Sequence, residues 1–245
     1  MYAAALNQKS VVYMPKGSSL ERLHNIQKTG AYAEITDMNY YDAVRLSEQM
    51  AEKHGWILVQ DTSWEGYEKI PACIMQGYMT MAHEADQQMK AHKKAHKKAH
   101  KKAHKKGKAD CLYKTALADD GKLHNVTEEM DTIMAGLACG EPSTIGWEIL
   151  MDTVDAFVSC PDNLAAKGMR ILGNPADTDP RVVSGESGAV GVGLLAEIMT
   201  EPELAGIRDQ LKLSKSSRVL FFSTEGDTDQ TSYRFIVWDG AYPTF

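Results

Sequence analysis

Residues 10–37 read SVVYMPKGSSLERLHNIQKTGAYAEITD. Ser10–Met14 is a short apolar run bounded by Pro15 and Gly17, which suits a buried strand. Ser18 or Ser19 can cap a helix that runs to Lys28 and stops at Gly30. Ala33–Asp37 is a second strand. Outward from there, Asp42–His54 carries Ala43, Val44, Leu46, Met50 and Ala51 at helical spacing and is closed by Gly55. Trp56–Gln60 reads as a third strand. Strands alternating with helices argue for a parallel sheet covered by helices, an α/β fold.

The same alternation continues along the chain. Pro71 opens an apolar helix through Ile74, Met75, Tyr78, Met79 and Met81. Beyond Gly107, Met130–Leu137 reads as a helix, Ala156–Cys160 as a strand and Asp162–Ile171 as a helix. The glycine-rich stretch Ser184–Gly193 reads as a turn leading into a helix at Leu194–Met199. Pro202–Leu213 is a further helix. Arg218–Phe222 is a strand that ends in the polar loop Ser223–Asp229.

Composition sets the outer limits. The 245 residues are 43% apolar and 24% charged, enough for one large domain or two small ones. That mixture excludes a collagen-like, disordered or disulfide-stapled chain. Formal net charge is −6, but ten of the 27 bases lie between Lys90 and Lys108, where there is no acid. The other 226 residues hold 17 bases against 33 acids, a net of −16. The body therefore offers no reason for nucleic-acid binding. Cys73, Cys111, Cys139 and Cys160 form no C-x-x-C pair and fit no zinc module, so they read as buried, reduced thiols of a cytoplasmic protein. Residues 1–10 make a poor signal peptide, and no stretch approaches the roughly 20 apolar residues of a membrane span.

The basic window is Ala-His-Lys-Lys copied four times, from Ala91 to Lys106. His92, His96, His100 and His104 stand at i, i+4, so on a helix neighbours would share a face and offer nitrogen to a divalent metal. The lysines oppose that helix, because Lys93 with Lys97 and Lys94 with Lys98 are like-charge i, i+4 pairs. The reading from composition is a solvated basic linker, with metal or polyanion binding as the alternative.

Three stretches can carry chemistry. Gln60–Tyr67 sits at the carboxyl end of an expected strand, where open α/β sheets bind ligands, and offers Asp61 as a general acid or base. Ser184–Gly191 exposes backbone N–H groups ahead of a helix. It is neither a nucleophile elbow, since Ala189 replaces the last glycine, nor a Walker loop. Ser223–Asp229 offers hydroxyls and carboxylates at another strand end.

Together these stretches resemble the diaminopropionate ammonia-lyase family, pyridoxal-phosphate enzymes of the fold-type II group that includes threonine dehydratase and tryptophan synthase β. The supporting words are VVYMPKGSS (11–19), EITDMNY (34–40), DTSWEGY (61–67), IMQGY (74–78), IMAGLACGEP (133–142), IGWE (145–148), GESGA (185–189) and STEGDTD (223–229). The resemblance implies the tryptophan synthase β-like fold, with open, mostly parallel sheets flanked by helices. It implies pyridoxal 5'-phosphate as cofactor and α,β-elimination of 2,3-diaminopropionate to pyruvate and ammonia. Asp61 matches the family's catalytic aspartate. Glu186, Ser187 and Gly188 match the loop beside the pyridine ring, and Ser223 or Thr224 matches the hydroxyl at the ring nitrogen. No metal is implied. The substrate is a small amino acid, and a homodimer is the assembly the resemblance implies.

The resemblance also implies gaps. The family's imine-forming lysine and its D-G-N-H-G substrate loop precede the segment matched at residue 1, and its glycine-rich phosphate cup falls where the Ala-His-Lys-Lys repeat stands. Lys16, Lys69 and Lys114 lie in family-like stretches, but none in the imine-lysine context. The expected layout is therefore a partial small domain with a connecting helix at 1–88, a linker at 89–108 and part of the large cofactor domain at 109–245. Little or no elimination is expected from these residues alone.

Overall fold

A computed structural model of the chain describes residues 2–90, 109–127 and 130–244. The Ala-His-Lys-Lys repeat lies outside the described residues. In chain order the elements are α1 (Tyr2–Ala5), β1 (Val11–Met14), α2 (Leu20–Gln27), β2 (Tyr32–Ile35), α3 (Tyr40–His54), α4 (Lys69–Lys90), α5 (Cys111–Ala118), α6 (Thr144–Thr153), α7 (Asp162–Gly173), α8 (Glu186–Thr200), α9 (Ala205–Gln210) and α10 (Gln230–Val237). Single 3₁₀ turns form at Ala135–Leu137 and Pro202–Leu204. No helix among the described residues is long and apolar enough to cross a membrane.

The chain divides into two compact units, Met1–Leu58 with Glu225–Ala241, and Val59–Thr224 with Tyr242–Phe245. Within the first unit, long-range bonds tie the 225–231 stretch to α2: Asn25 Nδ2 donates to Thr228 O at 3.2 Å and Arg22 lies 3.9 Å from Glu225.

In the first unit β1 and β2 pair in parallel, with Val11 opposite Tyr32 and Met14 opposite Ile35. The expected signals make the expected elements. Ser19 caps α2, accepting from the Glu21 and Arg22 amides. Gly55, at φ +67°, ends α3 in the left-handed conformation that glycine adopts without strain. Asp229 caps α10, accepting from the Ser232 amide at 3.0 Å. Burial pushes the Asp229 carboxyl up, but that bond, Ser19 and the Arg22 charge outweigh it and hold it below the usual carboxylate range.

In the second unit α7 and α8 cross at near contact between backbones. A Cβ on Gly168 would stand 2.0 Å from Ala189 O, and one on Gly193 would stand 1.9 Å from Leu164 O. Ala165, Ala166, Met169 and Ala189 are buried around the crossing. Lys167 Nζ reaches Glu197 Oε1 at 3.2 Å along its flank.

Several expectations need correction. Trp56–Gln60, Ala156–Cys160 and Arg218–Phe222 run without turn or bend, yet none is a strand, because no neighbour among the described residues supplies a ladder. Met130–Leu137 is not a helix beyond its one 3₁₀ turn. There Thr132 Oγ1 donates to Asp162 and accepts from the Met134 amide, a local bond that competes with helix formation. The glycine-rich stretch is not a turn before a helix: α8 starts at Glu186 and contains it. Pro202–Leu213 is a 3₁₀ turn followed by α9 rather than one helix.

The crossing makes a direct prediction. Gly168→Ala or Gly193→Ala forces Cβ against backbone oxygen and should cost about 3 kcal/mol of unfolding free energy. Gly206→Ala, with nothing within 4 Å of its Cβ position, should instead gain up to about 1 kcal/mol by helix propensity. Urea unfolding midpoints separate the three variants.

Candidate functional site

Every residue singled out for the site lies in the second unit. The start of α8 gathers most of them. Ser184 is fully buried, and Ser223 Oγ donates to Ser184 Oγ at 2.7 Å. Ser184 Oγ donates in turn to Gly185 O at 3.2 Å. A Cβ on Gly188 would stand 2.8 Å from Ser184 Oγ and 3.0 Å from Ser223 Oγ. The two hydroxyls therefore close over the first turn of α8 only because residue 188 has no side chain. Glu186, in that first turn, is 6% exposed. Its carboxylate lies at the positive end of the helix dipole. Ser187 is half-buried, and its Oγ lies 3.0 Å from where a Gly136 Cβ would be. Thr224, the alternative to Ser223, is exposed next to it, and the bond to Ser184 is made by Ser223.

Gly136 also lines a cavity of about 320 Å³ walled by Cys111, Cys139, Phe157, Cys160 and Val190, the last from α8. Cys111 Sγ donates to Cys139 O at 3.1 Å. Burial pushes the Cys111 and Cys160 thiols up to about 11. Asp110 stands on the same wall, accepting from Ser159 Oγ at 2.9 Å and lying 3.9 Å from Lys114 Nζ. Among the described residues no His, Cys, Asp or Glu group is arranged to hold a metal ion.

Asp61 occupies a second position. Its loop is pinned by buried Ser63, whose Oγ meets Ser143 Oγ at 2.8 Å and Thr144 Oγ1 at 2.9 Å and accepts from the Ile145 amide at 3.1 Å. The rings of Trp64 and Tyr67 stack at 4.4 Å, and Tyr67 Oη accepts from the Gln60 amide at 2.9 Å. Tyr78 Oη donates to Asp61 Oδ2 at 3.4 Å. Burial, and then the Asp61 charge, push the Tyr78 hydroxyl up from its ordinary value. Asp61 itself is exposed, and no hydrogen bond or ion pair joins it to Glu186 or Ser223.

No family model matches the chain. The diaminopropionate ammonia-lyase of Escherichia coli K12 is 46% identical over 266 aligned residues, covering 98% of this chain. The chain spans 66% of that relative's length. The solved structure of the Escherichia coli enzyme in complex with D-serine matches with a TM-score of 0.85 at 45% identity, over 98% of this chain and 66% of its own. The structure of that enzyme with an aminoacrylate-PLP azomethine reaction intermediate matches with a TM-score of 0.84 at 44% identity, over 98% of this chain and 68% of its own. The chain belongs to the diaminopropionate ammonia-lyase family. Its α/β architecture is that of the fold-type II pyridoxal-phosphate enzymes, with helices flanking a small parallel sheet. Pyridoxal phosphate is the cofactor expected of diaminopropionate ammonia-lyases.

The α8 group offers a hydroxyl, Ser223, braced by a second, buried hydroxyl, Ser184, at the start of a helix whose first turn carries buried Glu186. Residues 91–106, where the resemblance implies a phosphate cup in the family, lie outside the described residues. Sequence reasoning missed Ser184 and Gly136. Ser184 stands directly before the GESGA word, but its bond to Ser223 spans 39 positions and no local spacing signals it.

The thiols give a check on the cavity wall. Cys73 is exposed rather than buried as expected and should react with iodoacetamide at neutral pH, whereas Cys111 and Cys160 should react far more slowly, because burial shields them and pushes their thiols up to about 11. The sign for stability follows. Unfolded thiols lose protons near pH 9 while the folded ones keep theirs to about 11, so this contribution is full below pH 9 and is lost as pH rises through that window. Mass-spectrometric mapping of labelled cysteines at two pH values reads the first effect, and alkaline unfolding curves read the second.

Proposed function

We propose that this chain carries the acid–base and ring-holding side of a pyridoxal-phosphate-dependent α,β-elimination of 2,3-diaminopropionate to pyruvate and ammonia, and that these 245 residues alone catalyse it little or not at all. The reading is carried by the α8 group: Ser184, Glu186, Gly188 and Ser223 converge at one helix start, in a chain 46% identical to diaminopropionate ammonia-lyase. The cofactor, when bound, supplies the sink for the electrons released at Cα. Ser223, its hydroxyl bonded to Ser184, would hold the ring nitrogen, Glu186 and Ser187 would line the ring, and Gly188 lets the two hydroxyls close on α8. Asp61 moves the proton at Cα, with the Tyr78 hydroxyl steadying its Oδ2. The substrate is a small free amino acid, handled in the cytoplasm by a homodimer.

Low activity is argued from the lysines. Lys16, Lys69 and Lys114 do not stand in the context of a cofactor-holding lysine, and Lys114 lies by Asp110. The repeat takes the place of a phosphate cup. Support for a shortened interior comes from the alignment, whose 266 positions exceed the 245 residues of the chain. The test is reconstitution with pyridoxal phosphate, borohydride reduction and peptide mapping, beside a pyruvate assay. The expected result is no stoichiometric phosphopyridoxyl-lysine and no pyruvate above background. A single, stoichiometrically labelled lysine overturns it.

A second reading rests on the ten bases and absent acids of residues 90–108: a non-catalytic chain whose His/Lys arm binds a divalent metal or a polyanion. Titration with zinc and with heparin, before and after deletion of residues 91–106, decides it. Loss of binding on deletion supports this arm, and binding that survives removes it.

A further inference from the structure

The cavity of about 320 Å³ in the second unit is lined by none of the residues of the proposed elimination. Sulfur dominates its wall, through Cys111, Met134, Cys139 and Cys160. Phe157 adds a ring, held 5.5 Å from the Trp147 ring between centres, and Val190 adds an apolar side chain from α8. The thiols act as apolar lining. Cys111 Sγ donates to Cys139 O at 3.1 Å, and Cys139 Sγ donates to Glu141 O at 3.2 Å. Burial pushes the Cys111 and Cys160 thiols up to about 11, so both are neutral near pH 7.

Charge of either sign is unwelcome in this cavity. No Lys, Arg or His is among the described residues that line it. An anion would find no cationic partner there and would lie near the Asp110 carboxylate. A cation gains little from Asp110, whose oxygens are already engaged or covered. Oδ2 accepts from Ser159 Oγ at 2.9 Å, and Oδ1 is enclosed by protein and lies 3.9 Å from Lys114 Nζ. Either ion would give up its hydration without a matching return. A neutral ring is suited on each count. An apolar cavity of about 150 Å³ is enough to hold benzene, so this one has room for roughly one or two rings. Sulfur meets the edge of an aromatic ring favourably, and Phe157 offers a second ring an edge-to-face or offset partner. Leu137 lines the cavity and is 49% exposed, which gives it a side open to solvent. We propose that this cavity is a binding site for a neutral, flat aromatic molecule. The lining that suits such a molecule disfavours one bearing phosphate or carboxylate, so this site is independent of the proposed elimination.

The cavity thiols supply the readout. The full chain is labelled with iodoacetamide at mildly alkaline pH, with and without p-cresol, and the labelled cysteines are mapped by mass spectrometry. At about ten times the Kd of p-cresol, labelling of Cys111 and Cys160 should slow by about tenfold through mass action, while exposed Cys73 keeps its rate. Benzoate and benzylamine present a similar ring with a charge of either sign and should give no protection at that concentration. Val190→Phe fills the cavity from α8 and should abolish the protection with an unchanged circular dichroism spectrum. Unslowed labelling of Cys111 and Cys160 up to the solubility limit of p-cresol overturns the proposal. So does slowing that includes Cys73, equal protection by benzoate or benzylamine, or protection that persists in folded Val190→Phe. Where Val190→Phe does not fold, the three ligands compared on the unaltered chain still decide.

Discussion

The α7–α8 crossing sets where everything else in the second unit can be. Gly168 and Gly193 bring the two backbones to a distance at which any Cβ would meet an oxygen. That contact fixes both the position and the rotation of α8. Ala189 gives its carbonyl to the crossing, and the residue before it, Gly188, faces the Ser184–Ser223 pair. Successive helical residues are turned about 100° apart, so a helix seated against α7 by residue 189 has residue 188 pointed elsewhere by construction. The candidate site is therefore an outcome of packing, because the crossing aims the first turn of α8 and the hydroxyls then close on it. Burial of Ala165, Ala166 and Met169 around the crossing supplies the apolar area that holds it.

Two ways of fixing a loop appear side by side. Asp61 is exposed, and its rigidity comes from buried Ser63, which satisfies its hydroxyl with Ser143, Thr144 and the Ile145 amide. Glu186 is buried, and its rigidity comes from the helix itself. One carboxylate is open to solvent and the other is shielded. Tyr78 adds a donor to the open one without enclosing it.

What the sequence makes legible is what is decided locally. Ser19 caps a helix and Gly55 ends one through bonds reaching four residues at most, so the strand–helix–strand at 10–37 and the α3 boundary read correctly from pattern alone. The motif words likewise singled out Glu186 and Ser223, which come together at the start of α8, and Asp61, which stands in a separate, solvent-open loop. Three kinds of feature escaped. Trp56–Gln60, Ala156–Cys160 and Arg218–Phe222 have strand composition, but a strand exists only with a neighbour. The glycines of α8 read as a turn because a local pattern knows only their freedom, whereas here they serve close approach. Thr132 accepts from the Met134 amide in place of a helical bond, and its hydroxyl is oriented by Asp162, 30 positions away. The Ser184–Ser223 bond is long-range in the same sense.

The charge distribution and the bare strand positions follow one logic. An acidic body at −16 repels like-charged copies of itself. The ten bases at 90–108 cut the net to −6 and weaken this repulsion. Apolar runs such as Val219–Phe222 gain about 25 cal/mol for each Å² taken out of water, so an exposed run is under a standing drive toward cover. Cover is unequal among the three runs, because Val219–Phe222 is exposed while Ala156–Cys160 is half-buried to buried, with Phe157 and Cys160 walling the cavity.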